Sequence, residues 1–202
     1  MIKAVLFDFG GVLTESGKSG FTGAVMAELY GVGIDELDIG KDHALMRRGR
    51  EDDGELFERL NKRYGKQVAK QMFVDRAQAS FKPSQGVYDL AARLRAHGIK
   101  TGLLSNIFAM NANRLRAEGW YDGFSPIILS CEEGYAKPDP EIYEIAVKKT
   151  GTRPEEILFV DDQAKCIGPA QKLGFKIVVA KTPDQIVADV KSLIMAENGI
   201  EL

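Results

Sequence analysis

The chain opens on a short apolar run, Ile2, Ala4, Val5, Leu6 and Phe7, that stops at Asp8, Phe9, Gly10 and Gly11. An apolar run of this length bounded by turn residues reads as a buried strand, with a glycine-loosened turn at its carboxyl end. A polar stretch, Glu15 to Gly20, predicts a loop. The pattern then becomes helical over residues 21–30, 41–48, 55–64 and 68–81, as Leu56, Phe57 and Leu60 illustrate. No alternating pattern intervenes. Residues 17–82 are therefore expected to form a helical insert, with Asp53 as a helix N-cap and Pro83 as its end.

Beyond Pro83 strands alternate with helices. The pattern predicts a helix over 86–97 stopped by Gly98, a strand over 100–104 ending at Ser105 and Asn106, and a helix over 110–118. A short strand over 126–129 leads through Ser130 and Cys131 into a loop whose Pro138 and Pro140 present Lys137 just before a helix over 141–150. A fully apolar strand over 157–160 delivers Asp161 and Asp162, followed by a helix (164–173), a strand (176–179) and a last helix (183–195). This alternation predicts an α/β fold with a doubly wound, Rossmann-like parallel sheet. The core is expected to comprise residues 1–16 and 83–202, with the all-helical cap, 17–82, inserted between them.

Composition narrows the function. The 202 residues are 45% hydrophobic and 28% charged, with a formal charge of −2, as in an ordinary soluble globular protein. No Lys/Arg-rich block marks a nucleic-acid surface, and nothing suggests a membrane partner, so small molecules are the expected partners. Cys131 and Cys166 are too few for a disulfide framework, and the N-terminus has no basic region followed by an apolar signal segment. A cytoplasmic location is the default expectation. The oligomeric state stays open.

Separate strand ends or adjoining loops thus offer Asp8, Ser105 with Asn106, Lys137, and Asp161 with Asp162. Taken singly these are a capping Asp, a turn Ser, a solvated Lys and a helix-capping pair. Right-handed crossovers would bring them to one edge of one sheet, where α/β folds bind ligands. Each then has a task on a phosphate ester. A carboxylate can attack phosphorus, and a hydroxyl and an ammonium can hold the non-bridging oxygens. Several carboxylates around one cleft repel one another unless a cation lies between them, and hard oxygen ligands suit Mg²⁺.

The segments VLFDFGGVLT, LLSN, AKPDPEIY and ILFVDD resemble, in order and spacing, the motifs of the haloacid dehalogenase-like (HAD) hydrolase superfamily, and the insert resembles its C1 cap. SCEEGYAKPDPEIY and FVDDQAKCIGPAQKLGF look most like the phosphatase domain at the N-terminus of mammalian soluble epoxide hydrolase. The resemblance implies a Mg²⁺-dependent phosphatase of a small phosphorylated metabolite, working through a phospho-aspartate on Asp8. Ser105 and Lys137 are implied to bind the phosphate, with Gly10, Gly11 and Asn106 completing its cradle. Asp8, the Gly10 carbonyl and Asp162 are implied to hold Mg²⁺, with Asp161 as a second or water-mediated partner.

Gly10 departs from the family pattern. Related phosphatases carry there a second Asp that protonates the leaving group, a task worth about 10²–10⁴-fold. Glu15 or an acidic cap residue can substitute, or the substrate has an acidic leaving group, or activity has been lost. A 2-haloacid dehalogenase, whose relatives also lack this Asp, is one alternative; a non-catalytic binding module is another. Cys166 reads as a buried, inert thiol. Arg47, Arg48 and Arg50 can reach a second anionic group of a substrate, but Glu51, Asp52 and Asp53 beside them favour a solvated helix end. His43 and His97 receive no role, and Trp120 and Tyr121 read as packing residues.

Overall fold

The computed structural model describes residues 1–15 and 21–202, without the Phe21 side chain. The remainder of the predicted polar loop, and with it the start of the insert, lies outside the described residues. The fold is built on a parallel sheet whose strands are β1 (Ala4–Phe7), β2 (Lys100–Ser105), β3 (Ile127–Leu129), β4 (Ile157–Asp161) and β5 (Lys176–Val179), in the order β3-β2-β1-β4-β5. The central β1 is buried on both faces, which is why its residues read as an unbroken apolar run. Successive side chains face opposite layers. Val5, Phe7, Leu158 and Val160 join a core beneath α5 (Gln85–Ala96) and α10 (Pro183–Asn198), and Ala4, Leu6, Ile157 and Phe159 join one beneath α8 (Pro140–Thr150) and α9 (Ala164–Leu173).

Between β1 and β2 the chain leaves the sheet for four helices, α1 (Phe21–Tyr30), α2 (Gly40–Met46), α3 (Asp53–Tyr64) and α4 (Lys70–Gln78). These form a helical cap with its own apolar centre, in which Met26, Tyr30, Leu60 and Phe73 are fully buried. Phe108 and Met110, at the start of α6 (Ala109–Ala117), enter that same cluster from the sheet domain. The outgoing and returning segments run side by side: Glu15 donates its N–H to the Lys82 carbonyl at 2.9 Å, and Ser84 donates to Leu13 at 2.9 Å.

Local departures from the sequence pattern have physical causes. Asp52, not Asp53, caps α3: its extended backbone lets the side chain accept the Gly54 N–H at 2.7 Å, and Asp53 becomes the first helical residue. A four-residue helix, α7 (Ser130–Glu133), stands where a loop was expected, being too short to show a helical period. The last helix runs on to Asn198, where Gly199 takes φ +67° and stops it.

Gly102 allows β2 and the segment before β3 to approach closely. A Cβ there would lie 2.5 Å from the Pro126 carbonyl oxygen and 2.9 Å from Leu6 Cδ2. Gly102→Ala is therefore expected to destabilise the fold by about 1–3 kcal/mol, the usual cost of overpacking a core. Urea denaturation checks this, and an unchanged midpoint would contradict the contact.

Candidate active site

The carboxyl ends of β1, β2 and β4 bring the predicted residues together. Asp8 follows β1, Ser105 ends β2, and Asp161 ends β4 with Asp162 next to it. Backbone bonding from the Asp8 N–H to the Val160 carbonyl at 2.9 Å ties the first of these ends to the last. Asp8, Ser105, Lys137 and Asp161 are all buried, and Asp8, Asp161 and Asp162 each direct a carboxylate oxygen to within 4.8 Å of the others.

Lys137 is the counter-charge. Its ammonium lies 2.6 Å from Asp161 Oδ2 and 3.0 Å from Asp8 Oδ1. Burial alone would depress its pKa, but Asp161 and Asp8 together hold it above the ordinary lysine value, so it stays charged. Asn106 fixes the backbone behind it: its side-chain amide donates to the Lys137 carbonyl and accepts the Lys137 N–H, both at 2.8 Å. Asn106 thus holds the lysine's peptide with the amide expected to bind phosphate.

The carboxylates differ in what remains free on them. Asp161 has both oxygens engaged, Oδ2 by Lys137 and Oδ1 by the Gln163 N–H at 2.7 Å. Asp8 Oδ1 accepts the Phe9 N–H at 2.8 Å as well as the lysine. Asp162 Oδ1 is buried without any hydrogen-bond partner. Burial and the nearby Asp8 push the pKa of Asp162 upward. One ammonium facing three carboxylates, with one oxygen orphaned, is a donor set that fits a hard divalent cation.

A cleft of about 290 Å³ opens above this floor. Asp8, Gly10, Ser105 and Asn106 line its sheet side, and Ile39, His43 and Arg47 line its cap side. Those cap residues recur every fourth position along α2 and the residues that flank it, which is one helical face. That spacing is the signal by which the sequence could have nominated His43 and Arg47. Among the described lining residues Asp8 is the only carboxylate; neither Glu15 nor an acidic cap residue is there.

The arginine cluster is not a solvated helix end. Arg48 makes a two-pronged ion pair with Asp139, at 2.9 and 2.7 Å, Arg50 donates to the Gly134 carbonyl, and Arg47 donates to the Lys137 carbonyl at 3.3 Å. Gly49 turns between them at φ +61°, so close to the sheet domain that a Cβ would meet the Cys131 carbonyl at 2.0 Å. The cap is pinned by this turn to the loop that carries Lys137. Other expectations hold. Cys166 is fully buried and its thiol is pushed up to about 11 by burial, so it stays protonated and inert near neutrality. Trp120 and Tyr121 pack edge-on against Phe9. His97 is exposed, and among the described residues its ring bonds to the Arg93 carbonyl alone.

Burial, reinforced by Arg47 and Lys165, lowers the pKa of His43 to about 4 from an ordinary 6.5. The unfolded chain therefore takes up a proton below pH 6.5 that the folded chain refuses until about 4. Stability contributed at this position is complete above 6.5 and is lost as pH falls through that window. His43→Gln is expected to flatten the decline of unfolding free energy across it, measured by denaturation at a series of pH values. Parallel slopes for the two proteins would contradict a half-buried neutral imidazole.

The model of the haloacid dehalogenase-like hydrolase family matches residues 2–174. Glyceraldehyde 3-phosphate phosphatase of Methanopyrus kandleri is 30% identical over 88% of this chain and 83% of its own length. Acyl-CoA dehydrogenase family member 10 of mouse is 27% identical over 51% of this chain, which spans only 10% of that larger protein. A HAD family enzyme of Bacteroides thetaiotaomicron, in complex with magnesium and inorganic phosphate, superposes with a TM-score of 0.75 at 22% identity, covering 90% of this chain and 95% of that one. Bifunctional epoxide hydrolase 2 of pig matches at 26% identity beside several proteins named as phosphatases, so the resemblance extends to the superfamily without singling out that branch. No helix among the described residues is long and apolar enough to cross a membrane.

Proposed function

Because the chain belongs to the haloacid dehalogenase-like hydrolases, we propose that it is a Mg²⁺-dependent phosphatase of a small phosphorylated molecule, acting through a phospho-aspartate on Asp8. One observation carries the reading: a buried lysine bridges two carboxylates at the floor of the cleft while a third carboxylate beside them keeps an unpartnered oxygen. A dehalogenase attacking carbon has no use for that orphaned oxygen.

The chain's own groups divide the work. Oδ1 of Asp8 is held by the Phe9 N–H and Lys137, which aims the carboxylate and leaves Oδ2 to attack phosphorus. Lys137 and the Ser105 hydroxyl receive the non-bridging oxygens as charge builds on them. Asp161 positions the lysine. Asp8, the Gly10 carbonyl and Asp162 are the residues that would hold Mg²⁺. When bound, the ion neutralises the carboxylates and lets an anionic phosphate approach an anionic nucleophile. The cap limits the cleft and keeps bulk water from it.

The missing acid shapes the substrate. With Gly10 in place of an aspartic acid, the titratable cap group on the cleft wall nearest in kind is His43, which is neutral at pH 7. A neutral imidazole can accept a proton from water but is a poor donor to a departing alkoxide. Esters with acidic leaving groups, among them acyl and anomeric phosphates, are the favoured class.

Hydrolysis of an aryl and a simple alkyl phosphate, with Mg²⁺ or chelator, tests this. The aryl ester should turn over at least about 10²-fold faster, the lower bound for an absent general acid. Activity should vanish with chelator and in Asp8→Asn. Release of halide from 2-haloacids without metal, or binding without turnover, would replace the phosphatase with another class.

Metal affinity provides a separate check. Asp162→Asn should raise the Mg²⁺ concentration needed for half-maximal activity by at least about tenfold, since one charged hard ligand is lost. An unchanged Mg²⁺ dependence would remove Asp162 from the metal site.

A further inference from the structure

Arg47 differs from the other arginines of the cap in being drawn from water without an ion pair. Arg48 is paired with Asp139, Arg59 with Glu51 and Asp42, Arg63 with Asp38 and Arg76 with Glu28, while Arg50, which also has no ion pair among the described residues, is exposed and lies over the Tyr135 ring. Arg47 has no carboxylate within ion-pair distance among the described residues. Its guanidinium makes one hydrogen bond, to a neutral carbonyl, and its Nε is buried with no acceptor at all. Burial pushes its pKa down, opposed by the more distant Asp8 and Asp139, so the cation has lost water without gaining a bonded carboxylate. A guanidinium so placed on a cleft wall is open to an anionic group of whatever fills the cleft.

The character of that occupant follows from the wall. Lys165 adds a second cation, and among the described residues it has no ion-pair partner and Asp8 is the only carboxylate of the lining. Ile34, Ile39 and Phe108 add apolar surface to the lining. The phosphoryl group already has Lys137 and Ser105 on the floor. At about 290 Å³ the cleft lies at the small end of ligand pockets, so it suits a compact molecule. A guanidinium matches a carboxylate with two parallel hydrogen bonds.

We infer that the substrate of this site is a small phosphorylated carboxylic acid whose carboxylate is received by Arg47. The inference deepens the phosphatase reading and rests on it. Arg47 is a specificity residue: it acts at the end of the molecule away from phosphorus and sets which phosphate esters are taken.

The test compares 3-phosphoglycerate with glycerol 3-phosphate, which differ by a carboxylate in place of a hydroxymethyl group. The native chain with Mg²⁺ should favour the acid by about 10- to 100-fold in kcat/KM, the range that a charge-assisted hydrogen bond supplies, and chiefly through KM. In Arg47→Gln the ratio should fall to about one. In Arg47→Lys, which keeps the charge and loses the fork, it should fall between, and melting curves show that each variant is folded. If Arg47→Gln does not fold, the ratio in Arg47→Lys decides. No preference in the native chain overturns the inference. So does an equal fall on both esters, which would assign Arg47 to the phosphoryl group. If the native chain hydrolyses neither ester but does hydrolyse the aryl phosphate, the poor alkoxide leaving group accounts for it; if the aryl phosphate also survives, the phosphatase reading fails separately; in both cases calorimetric binding of the same pair takes over. Tighter binding of the acid that is lost in Arg47→Gln sustains the anion site; equal binding of the two, or binding of neither, sinks it.

Discussion

The buried ammonium of Lys137 is the interaction on which the rest of the site depends. An ion of this size cannot be left in a protein interior uncompensated; removing one partner of a buried pair costs roughly 3–5 kcal/mol. Asp161 and Asp8 supply that compensation, and their positions are fixed by strands paired to each other in the centre of the sheet. The lysine in turn lies on a loop, and loops wander unless held. Asn106, at the end of β2, grips its peptide from both sides, so the three strand ends and the loop form one hydrogen-bonded unit. The arrangement stabilises little for its size, because hydrophobic residues would fill the same volume at less desolvation cost. Its use under the proposed function is chemical: it sets the Asp8 carboxylate and a charged lysine together at the floor of one cleft.

The cap is joined to that unit by charge and by close backbone approach. Arg48 reaches Asp139, Arg50 reaches Gly134, and the turn between them admits only glycine at position 49 against the Cys131 carbonyl. All of these contacts fall on the segment that carries Lys137. The cap's apolar centre also takes in Phe108 and Met110 from the sheet domain, so the two parts share packed surface as well as polar contacts. The consequence is that His43 of α2 and Arg47 at its end are held over the cleft by that docking, so on the proposed function substrate choice would depend on it.

Replacing an acid by Gly10 changes the chemistry without disturbing the floor. Glycine keeps the backbone carbonyl and lines the cleft, while Asp8 and its neighbours retain their partners. What is removed is a proton donor on the leaving-group side, and none of the described lining residues restores it in the same form. On the proposed function, such a site would select by the acidity of the group it expels, and the cations on its walls by the charge that the same group carries.

The strands, their apolar runs and the carboxyl-terminal placement of Asp8, Ser105, Asp161 and Asp162 were legible in the sequence, because parallel strands buried on both faces must be continuously apolar and must end in turns. The helical character of residues 21–81 was legible for the same reason, through its periodicity. Asp52 against Asp53 as the cap of α3 was not, since both are competent and only the backbone angles choose between them. Nor was the four-residue α7, which is shorter than the period that would reveal it. The arginine turn was misread because a run of charges flanked by opposite charges looks the same whether it meets water or another domain. Sequence alone determined which groups exist at the strand ends, since local patterning dictates strands and turns. Only the tertiary structure decided that Asn106 holds Lys137, that Asp162 keeps a free oxygen and that Arg47 lacks a counter-ion, because each is a relation between elements 30 or more positions apart, or between a side chain and the water it has lost.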